Sequence, residues 1–279
     1  MLFKSIKNNT QFEKDGFVVI HDFFETDQIA RLKTIYSSLH LDNIKTIYTN
    51  IIDRNPEENQ EIARLLSNEF ENNVDKHFCN YTLVGGVFLV KGVGENSASK
   101  MHQDWNMVDE SKYHSFGVWC PLIDVDETNG CIHVIPGSHK WFKSIRSHSM
   151  PSVIIEFDEV KDSLKAVPLK KGDAVIFAHN LFHGSKPNTT IENRPAAYIG
   201  VISKDAQLIH YIRNENMITE IKADDQFFVE NVRKMNKKED FTFEIIKQFS
   251  YKHSFTVSKH QVLNKMSTHQ NFLSRFFKK

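Results

Sequence analysis

Cysteine is scarce in this chain: only three, Cys79, Cys120 and Cys131, occur among 279 residues. A small and odd number of cysteines argues against a disulfide framework and fits a reducing compartment. We interpret Cys120 and Cys131 as small, buried apolar residues and not as metal ligands.

Net charge and long apolar runs are also missing. Lys+Arg and Asp+Glu each total 35, so no overall field attracts an anionic polymer, and we predict no nucleic-acid partner. The longest apolar run, residues 83–90, ends at Lys91, far short of the length that spans a bilayer. The first residues lack the apolar segment of a secretory signal. We therefore predict a cytoplasmic protein without stable membrane insertion.

Short β-strands are the main structural signal. After residue 80, apolar segments alternate with turns such as Thr128-Asn129-Gly130 and Pro136-Gly137-Ser138. Many short strands at this spacing predict a jelly roll or a barrel-like sandwich and not βαβ units. The predicted strands are residues 81–90, 115–123, 131–135, 152–157, 166–169, 174–177 and 196–202.

The regions on either side of these strands have a helical pattern. Residues 1–80 show apolar positions at helical spacing around one early strand at 16–20, and the pattern becomes helical and polar again from 204 to 279. The prediction is a single domain over residues 1–279, mainly β with flanking helices, whose β core covers residues 81–203.

A metal site is suggested by His102, Asp104 and His183. In an extended segment, the side chains of His102 and Asp104 point the same way because strand side chains repeat every second residue. A second imidazole from a distant strand would complete the set of two histidines and one carboxylate that non-haem Fe(II) oxygenases use. Arg194, eleven positions after His183, offers a planar fork for a carboxylate.

The second imidazole has two candidates, because His179 and His183 lie four residues apart. On a helix this spacing is typical of a zinc pair, but the segment lacks the glutamate of such sites and leaves a strand through a Gly-Ser turn. We predict that His183 is the ligand and that His179 either supports it or is solvated. An isolated His-x-Asp pair is common by chance, so the prediction depends on the whole set.

Three segments carry a resemblance to a known family. They are Gln103-Asp104-Trp105, the run VWCPLID at 118–124 and the run NGCIHVIPGSHK at 129–140. They resemble the phytanoyl-CoA dioxygenase (PhyH-like) family of Fe(II)- and 2-oxoglutarate-dependent oxygenases, over about residues 12–203. The resemblance implies a double-stranded β-helix (a cupin-like jelly roll), an Fe(II) cofactor, and 2-oxoglutarate and O₂ as co-substrates.

The same resemblance implies roles for individual residues. His102, Asp104 and His183 match the iron ligands, which are also the catalytic centre. Four further residues match positions that bind 2-oxoglutarate or line its side of the pocket: Arg194, Ser185, Lys91 and Trp119. Packing in the core is an equally good interpretation of Trp119.

The chain's last part has an uneven charge. Residues 245–279 contain seven Lys/Arg and no Asp or Glu. A solvated basic helix is the simpler interpretation. The alternatives are a basic rim that attracts an anionic substrate, or a peripheral membrane contact through Phe272, Phe276 and Phe277.

The predicted function is a dioxygenase that hydroxylates a small-molecule or conjugated metabolite while 2-oxoglutarate is converted to succinate and CO₂. Two alternatives stay open. The same centre could catalyse desaturation, epoxidation or cyclisation, or the chain could be a non-catalytic jelly-roll binding or sensor protein. The complete His-Asp-His set together with Arg194 argues against the second.

Overall fold

A computed structural model describes residues 1–41, 44–230 and 243–276. The described helices are α1 (Ile6–Asp15), α2 (Thr26–Ser37), α3 (Asn50–Asp53), α4 (Pro56–His77), α5 (Asp225–Glu230) and α6 (Lys259–Phe276). The described strands are β1 (Phe17–Ile20), β2 (Ile47–Thr49), β3 (Tyr81–Lys91), β4 (Ser99–His102), β5 (Ser115–Pro121), β6 (Ile132–Val134), β7 (Lys165–Val167), β8 (Ala174–Ala178), β9 (His183–Ser185), β10 (Arg194–Ser203), β11 (Ile209–Asn214), β12 (Met217–Lys222) and β13 (Ile245–Ser250).

Two antiparallel sheets form the centre of the fold. The major sheet has six strands in the order β1-β8-β5-β10-β3-β2, and the minor sheet has four in the order β4-β9-β6-β7. Apolar side chains of both sheets belong to one core, for example Val118 and Ile176 from the major sheet and Val134 from the minor sheet. This arrangement is a jelly roll, or double-stranded β-helix. The predicted fold class is therefore confirmed.

The helices before the β core pack against the major sheet. Helix α4 begins with a capping box, in which the Asn55 side chain accepts from the Glu58 backbone amide and the Glu58 carboxylate accepts from that of Asn55. Its buried residues Leu66 and Phe70 join the same core as the major sheet. The apolar pattern of residues 1–80 is thus explained by burial of one face of each helix.

The predicted strand at residues 152–157 is wrong. Among the described residues this segment forms one isolated bridge, from Met101 to Ile155, before a short 3₁₀ helix that begins at Phe157. Ile155 is buried while Ile154 is 49% exposed. The apolar run therefore reflects anchoring of a loop by alternate side chains, and a continuous hydrogen-bonded ladder does not form.

The helical pattern predicted from 204 onwards is wrong for residues 209–222 and 245–250. There β11, β12 and β13 form a third antiparallel sheet, while α5 and α6 are helical as expected. Two polar residues of this sheet are buried, His210 on β11 and Glu220 on β12, and they lie on opposite faces of it. These interrupt the apolar alternation by which a half-buried strand is recognised in a sequence.

Helix α6 packs on the minor sheet. Its buried residues Val262 and Met266 belong to an apolar cluster with Met101 and Phe182, which directly precede His102 and His183. Of the phenylalanines considered for membrane contact, Phe277 lies outside the described residues, as do the side chains of Phe272 and Phe276. Within the described ranges, no helix has the length and apolar character needed to cross a bilayer.

Candidate metal and 2-oxoglutarate site

The pairing of β4 with β9 brings the two predicted histidine ligands together. His102 and His183 are direct partners across these strands, and their ring centroids lie 4.5 Å apart. Asp104 follows the end of β4, and its Oδ1 lies 3.7 Å from the Nε2 atom of each imidazole. The three possible ligand atoms all lie within 4.8 Å of one another. The group can therefore hold one metal ion.

Backbone carbonyls fix the direction of both imidazoles. His102 Nδ1 lies 2.8 Å from the Lys100 carbonyl oxygen, and His183 Nδ1 lies 3.0 Å from that of Leu181. With Nδ1 as the donor in each bond, the Nε2 lone pairs face Asp104. Metal-binding histidines are oriented in this way, because the outer hydrogen bond selects the tautomer. The residues present therefore fit a divalent metal.

The electrostatics of Asp104 favour the ionised form that a metal requires. Burial by itself raises the pKa of this carboxyl group, but the neighbouring imidazoles, His183 foremost, lower it, and the net shift is downward. Burial is the main cause that lowers the pKa of His183, which favours the neutral imidazole. Carboxylate and neutral imidazole are the protonation states that bind metal.

Arg194 lies at the start of β10, opposite Lys91 of β3 in the major sheet. Arg194 is 5% exposed, and its Nε and Nη1 atoms have no hydrogen-bond partner among the described residues. Its guanidinium carbon lies 5.0 Å from the centre of the Trp119 ring. Burial lowers the pKa of Arg194 to about 10, so the side chain remains charged at pH 7. A buried charge with unused donors is suited to an anionic ligand.

Lys91 adds a second buried cation beside Arg194. Burial, and then the charge of Arg194, lower the pKa of Lys91 to about 7. Its Nζ atom donates to the Ser97 carbonyl oxygen. The predicted turn at Asn129-Gly130 makes room for this side chain, because a Cβ atom at Gly130 would lie 2.5 Å from Lys91 Cδ.

The two other residues predicted to line the pocket also belong to these sheets. Ser185 lies on β9 two positions from His183, so both side chains share one face of the minor sheet. Trp119 is 3% exposed and belongs to the apolar core as well as lying over Arg194. The core-packing interpretation of Trp119 is therefore confirmed, and its role beside the co-substrate stays a prediction.

His179 is buried and not solvated, at 1% exposure. Its Nδ1 lies 2.5 Å from Ser115 Oγ and its Nε2 lies 3.0 Å from Tyr198 Oη, while its carbonyl oxygen accepts a bond from the Asp104 amide. His179 thus supports the segment that carries Asp104. The contact of Tyr198 with His179 could not be predicted from the sequence, because Tyr198 lies in an apolar strand and resembles an ordinary core residue.

Comparison with known proteins agrees with this geometry. Residues 12–196 match the family model for phytanoyl-CoA dioxygenase (PhyH). The chain is 26% identical over 152 residues to the phytanoyl-CoA dioxygenase domain-containing protein 1 homolog of Dictyostelium discoideum, covering 51% of this chain and 53% of that protein. It is 30% identical over 129 residues to phytanoyl-CoA dioxygenase 1 of Oryza sativa subsp. japonica, covering 44% of this chain and 45% of that protein. The chain therefore spans about half the length of these curated relatives.

A solved structure has a similar fold. EvdO2 from Micromonospora carbonacea var. aurantiaca, complexed with 2-oxoglutarate, superposes with a TM-score of 0.52 at 18% sequence identity. The superposition covers 71% of this chain and 91% of EvdO2. At this identity the similarity supports the jelly-roll fold.

Proposed function

Because the chain belongs to the phytanoyl-CoA dioxygenase (PhyH) family, we propose that it is an Fe(II)- and 2-oxoglutarate-dependent dioxygenase. The proposed reaction hydroxylates a small-molecule or conjugated metabolite and converts 2-oxoglutarate to succinate and CO₂. The observation that carries the proposal is the meeting of His102, Asp104 and His183 in one fold with the unpartnered donors of buried Arg194.

The metal part of the proposal assigns His102, Asp104 and His183 as both the iron ligands and the catalytic centre. Their two Nε2 atoms and one carboxylate oxygen form the ligand set of the 2-His-1-carboxylate oxygenases, which leaves positions open for co-substrates. When bound, Fe(II) and 2-oxoglutarate supply the oxidative chemistry. The protein's contribution is to keep both Nε2 lone pairs directed at the metal by anchoring each Nδ1–H on a backbone carbonyl.

The co-substrate part of the proposal assigns Arg194 to the distal carboxylate of 2-oxoglutarate. Two parallel charge-assisted bonds, from Nη2 together with either Nε or Nη1, would satisfy one of the two buried donors that lack a partner. Lys91 and Ser185 would contribute further polar contacts, while Trp119 would keep the guanidinium in place through its ring face. An anion between Arg194 and Lys91 would also offset the repulsion between these two cations.

The substrate part of the proposal is a metabolite with anionic groups, because cations are concentrated in the C-terminal segment. Lys252 and Lys265 are exposed there, whereas Lys247 and Lys259 pair with Glu220 and Glu159. We further propose that the protein acts in the cytoplasm, since its three cysteines are free, as in a reducing compartment.

A metabolite screen tests the proposed function. Purified protein loaded with Fe(II) is incubated with 2-oxoglutarate and pools of metabolites, and succinate formation is measured. We expect at least one pool to raise succinate above the uncoupled rate, with His183→Ala inactive and the exposed control His253→Ala unchanged. Mass analysis of the product distinguishes hydroxylation, a gain of one oxygen, from desaturation, a loss of two hydrogens. Absence of 2-oxoglutarate binding and of turnover would instead favour a binding protein.

A further inference from the structure

A buried arginine outside the site described above is bonded to the backbone of Asp104. Arg146, in the loop between β6 and β7, is 1% exposed. Its Nε donates to the Asp104 carbonyl oxygen at 2.7 Å and its Nη1 to that of Ser144 at 2.8 Å. Its Nη2 donates to Glu110 Oε1 at 2.6 Å. All three guanidinium nitrogens are therefore engaged, in contrast to those of Arg194.

The residues around Asp104 are held from several sides. The Asp104 amide donates to the His179 carbonyl oxygen at 2.8 Å. Asn106 exchanges two bonds with Arg146: its amide donates to the Arg146 carbonyl oxygen at 3.1 Å, and its Oδ1 accepts from the Arg146 amide at 2.6 Å. Residues 104–106 are thus fixed by side chains and loop backbone.

This form of support matters because Asp104 lies beyond the end of β4. The two histidine ligands are paired with each other across β4 and β9, so the minor sheet fixes their separation. Asp104 has no strand partner and depends on the bonds of its own peptide groups. A metal site keeps its geometry only if each ligand is held within about 0.5 Å.

Arg146 is a charged residue at a buried position, where it pairs with Glu110. A buried arginine–carboxylate pair contributes little to stability compared with apolar residues of similar volume, because both charges lose their hydration. What such a pair contributes is a fixed geometry, since the planar guanidinium directs several donors at fixed angles. In Arg146 one edge is anchored on Glu110, and the Nε–H is thereby directed at the Asp104 carbonyl.

We propose that Arg146, oriented by Glu110, is a positioning residue that holds the carboxylate ligand Asp104 where it can bind metal. This inference rests on the proposed function, since it assumes that His102, Asp104 and His183 bind a metal. Arg146 acts through the backbone of Asp104 and does not itself touch the metal. Loss of such outer support typically weakens metal affinity by about 10–100-fold.

The test measures metal affinity and local opening in the metal-free protein. Mn(II) is titrated into wild type, Arg146→Met and Arg146→Lys by calorimetry, and amide hydrogen exchange at Asp104 is followed without metal. We expect Arg146→Met to raise the Mn(II) Kd about 10–100-fold and to speed exchange at Asp104. Arg146→Lys should recover only part of the affinity, because one ammonium cannot replace the fork.

Arg213→Met is the matched control. Arg213 also donates its Nε to a backbone carbonyl, that of Glu215 at 3.2 Å, but it is exposed on the third sheet. We expect it to leave both Mn(II) affinity and Asp104 exchange unchanged. If Arg146→Met fails to fold, Glu110→Gln serves in its place, since it keeps the shape of the pair and removes one charge. It should produce a smaller increase in Kd.

The outcomes separate this inference from the proposed function. Wild-type Mn(II) affinity and unaltered Asp104 exchange in a folded Arg146→Met or Glu110→Gln protein would overturn the positioning role alone. Failure of the wild-type protein to bind Mn(II) would overturn the proposed function and the inference together. Weaker Mn(II) binding in the Arg146 variant, with the Arg213 control unaffected, supports both.

Discussion

The major and minor sheets support the two halves of the site in different ways. In the major sheet, Arg194 and Lys91 are paired on strands of 10 and 11 residues, β10 and β3. In the minor sheet, His102 and His183 lie on strands of four and three residues, β4 and β9. Short strands offer few ladder bonds, so the minor-sheet ligands need additional anchors.

The hydrogen bonds of the two halves reflect this difference. The imidazoles of His102 and His183 each have Nδ1 bonded to a nearby carbonyl, so each leaves a single lone pair available to a metal. Arg194 in the major sheet is held by a long ladder and by Trp119, while Nε and Nη1 are left without partners in the described part of the chain. The minor sheet thus offers atoms that could bind a metal, and the major sheet offers unused donors suited to an anion.

Removing a minor-sheet ligand should have the largest effect. In His183→Ala or His102→Ala, the metal loses one of three protein ligands, so we expect Mn(II) binding and 2-oxoglutarate turnover to be lost. Calorimetry with Mn(II) and a succinate assay measure the two effects. Full Fe(II)-dependent activity in either variant would contradict the ligand assignment.

Removing the major-sheet cation should separate co-substrate binding from metal binding. Arg194→Leu should keep Mn(II) affinity but raise the 2-oxoglutarate Kd by at least about tenfold, since hydrogen bonds to charged groups contribute about 1.5–3 kcal/mol each. Arg194→Lys should recover part of this loss, because lysine supplies charge without the fork. An unchanged 2-oxoglutarate requirement in Arg194→Leu would exclude the assigned role.

Lys91, the second cation of the major sheet, should take up a proton when 2-oxoglutarate binds. With its pKa near 7, Lys91 is mostly neutral at pH 8 and mostly charged at pH 6. Because a dianion nearby raises this pKa, 2-oxoglutarate binding should take up close to one proton at pH 8 and much less at pH 6. Calorimetry in buffers of different ionisation enthalpy measures the uptake, which Lys91→Met should abolish. Equal proton uptake in wild type and Lys91→Met would refute this origin.

The smallest effect should come from outside both sheets. Helix α6 packs beside Met101 and Phe182, on the side of the minor sheet away from His102 and His183, and exposed charges act over only ~8 Å at physiological ionic strength. Combined Lys252→Gln and Lys265→Gln should raise the KM of a substrate from the screen by a small factor and flatten its salt dependence.

The control for this last effect is Lys7→Gln, at an exposed position of helix α1. Point substitutions are used because a truncation after Glu244 would also remove β13 and the packed residues Val262 and Met266. A KM and salt dependence equal to those of Lys7→Gln would contradict the anionic-substrate proposal while leaving the oxygenase proposal intact.

Parts of the fold were readable from the sequence because they follow from local spacing. Strong apolar runs in β3, β5, β8 and β10 matched the prediction, since these strands are buried along most of their length. The third sheet was missed because the buried polar residues His210 and Glu220 interrupt the apolar pattern of β11 and β12. Arg146 was also missed, since a lone arginine in a loop is normally solvated and only its 1% exposure distinguishes it.

The sequence by itself determined the family, the jelly-roll class and the candidate residues, because a two-residue spacing and recognisable motifs are properties of neighbouring positions. The assigned roles of those residues stay predictions. Tertiary structure alone decided that His102 faces His183 across two strands separated by about 80 residues, that Arg194 keeps unused donors in a buried place, and that Asp104 is held through Arg146. These facts depend on strand register and loop packing, which bring together residues whose positions in the chain are unrelated.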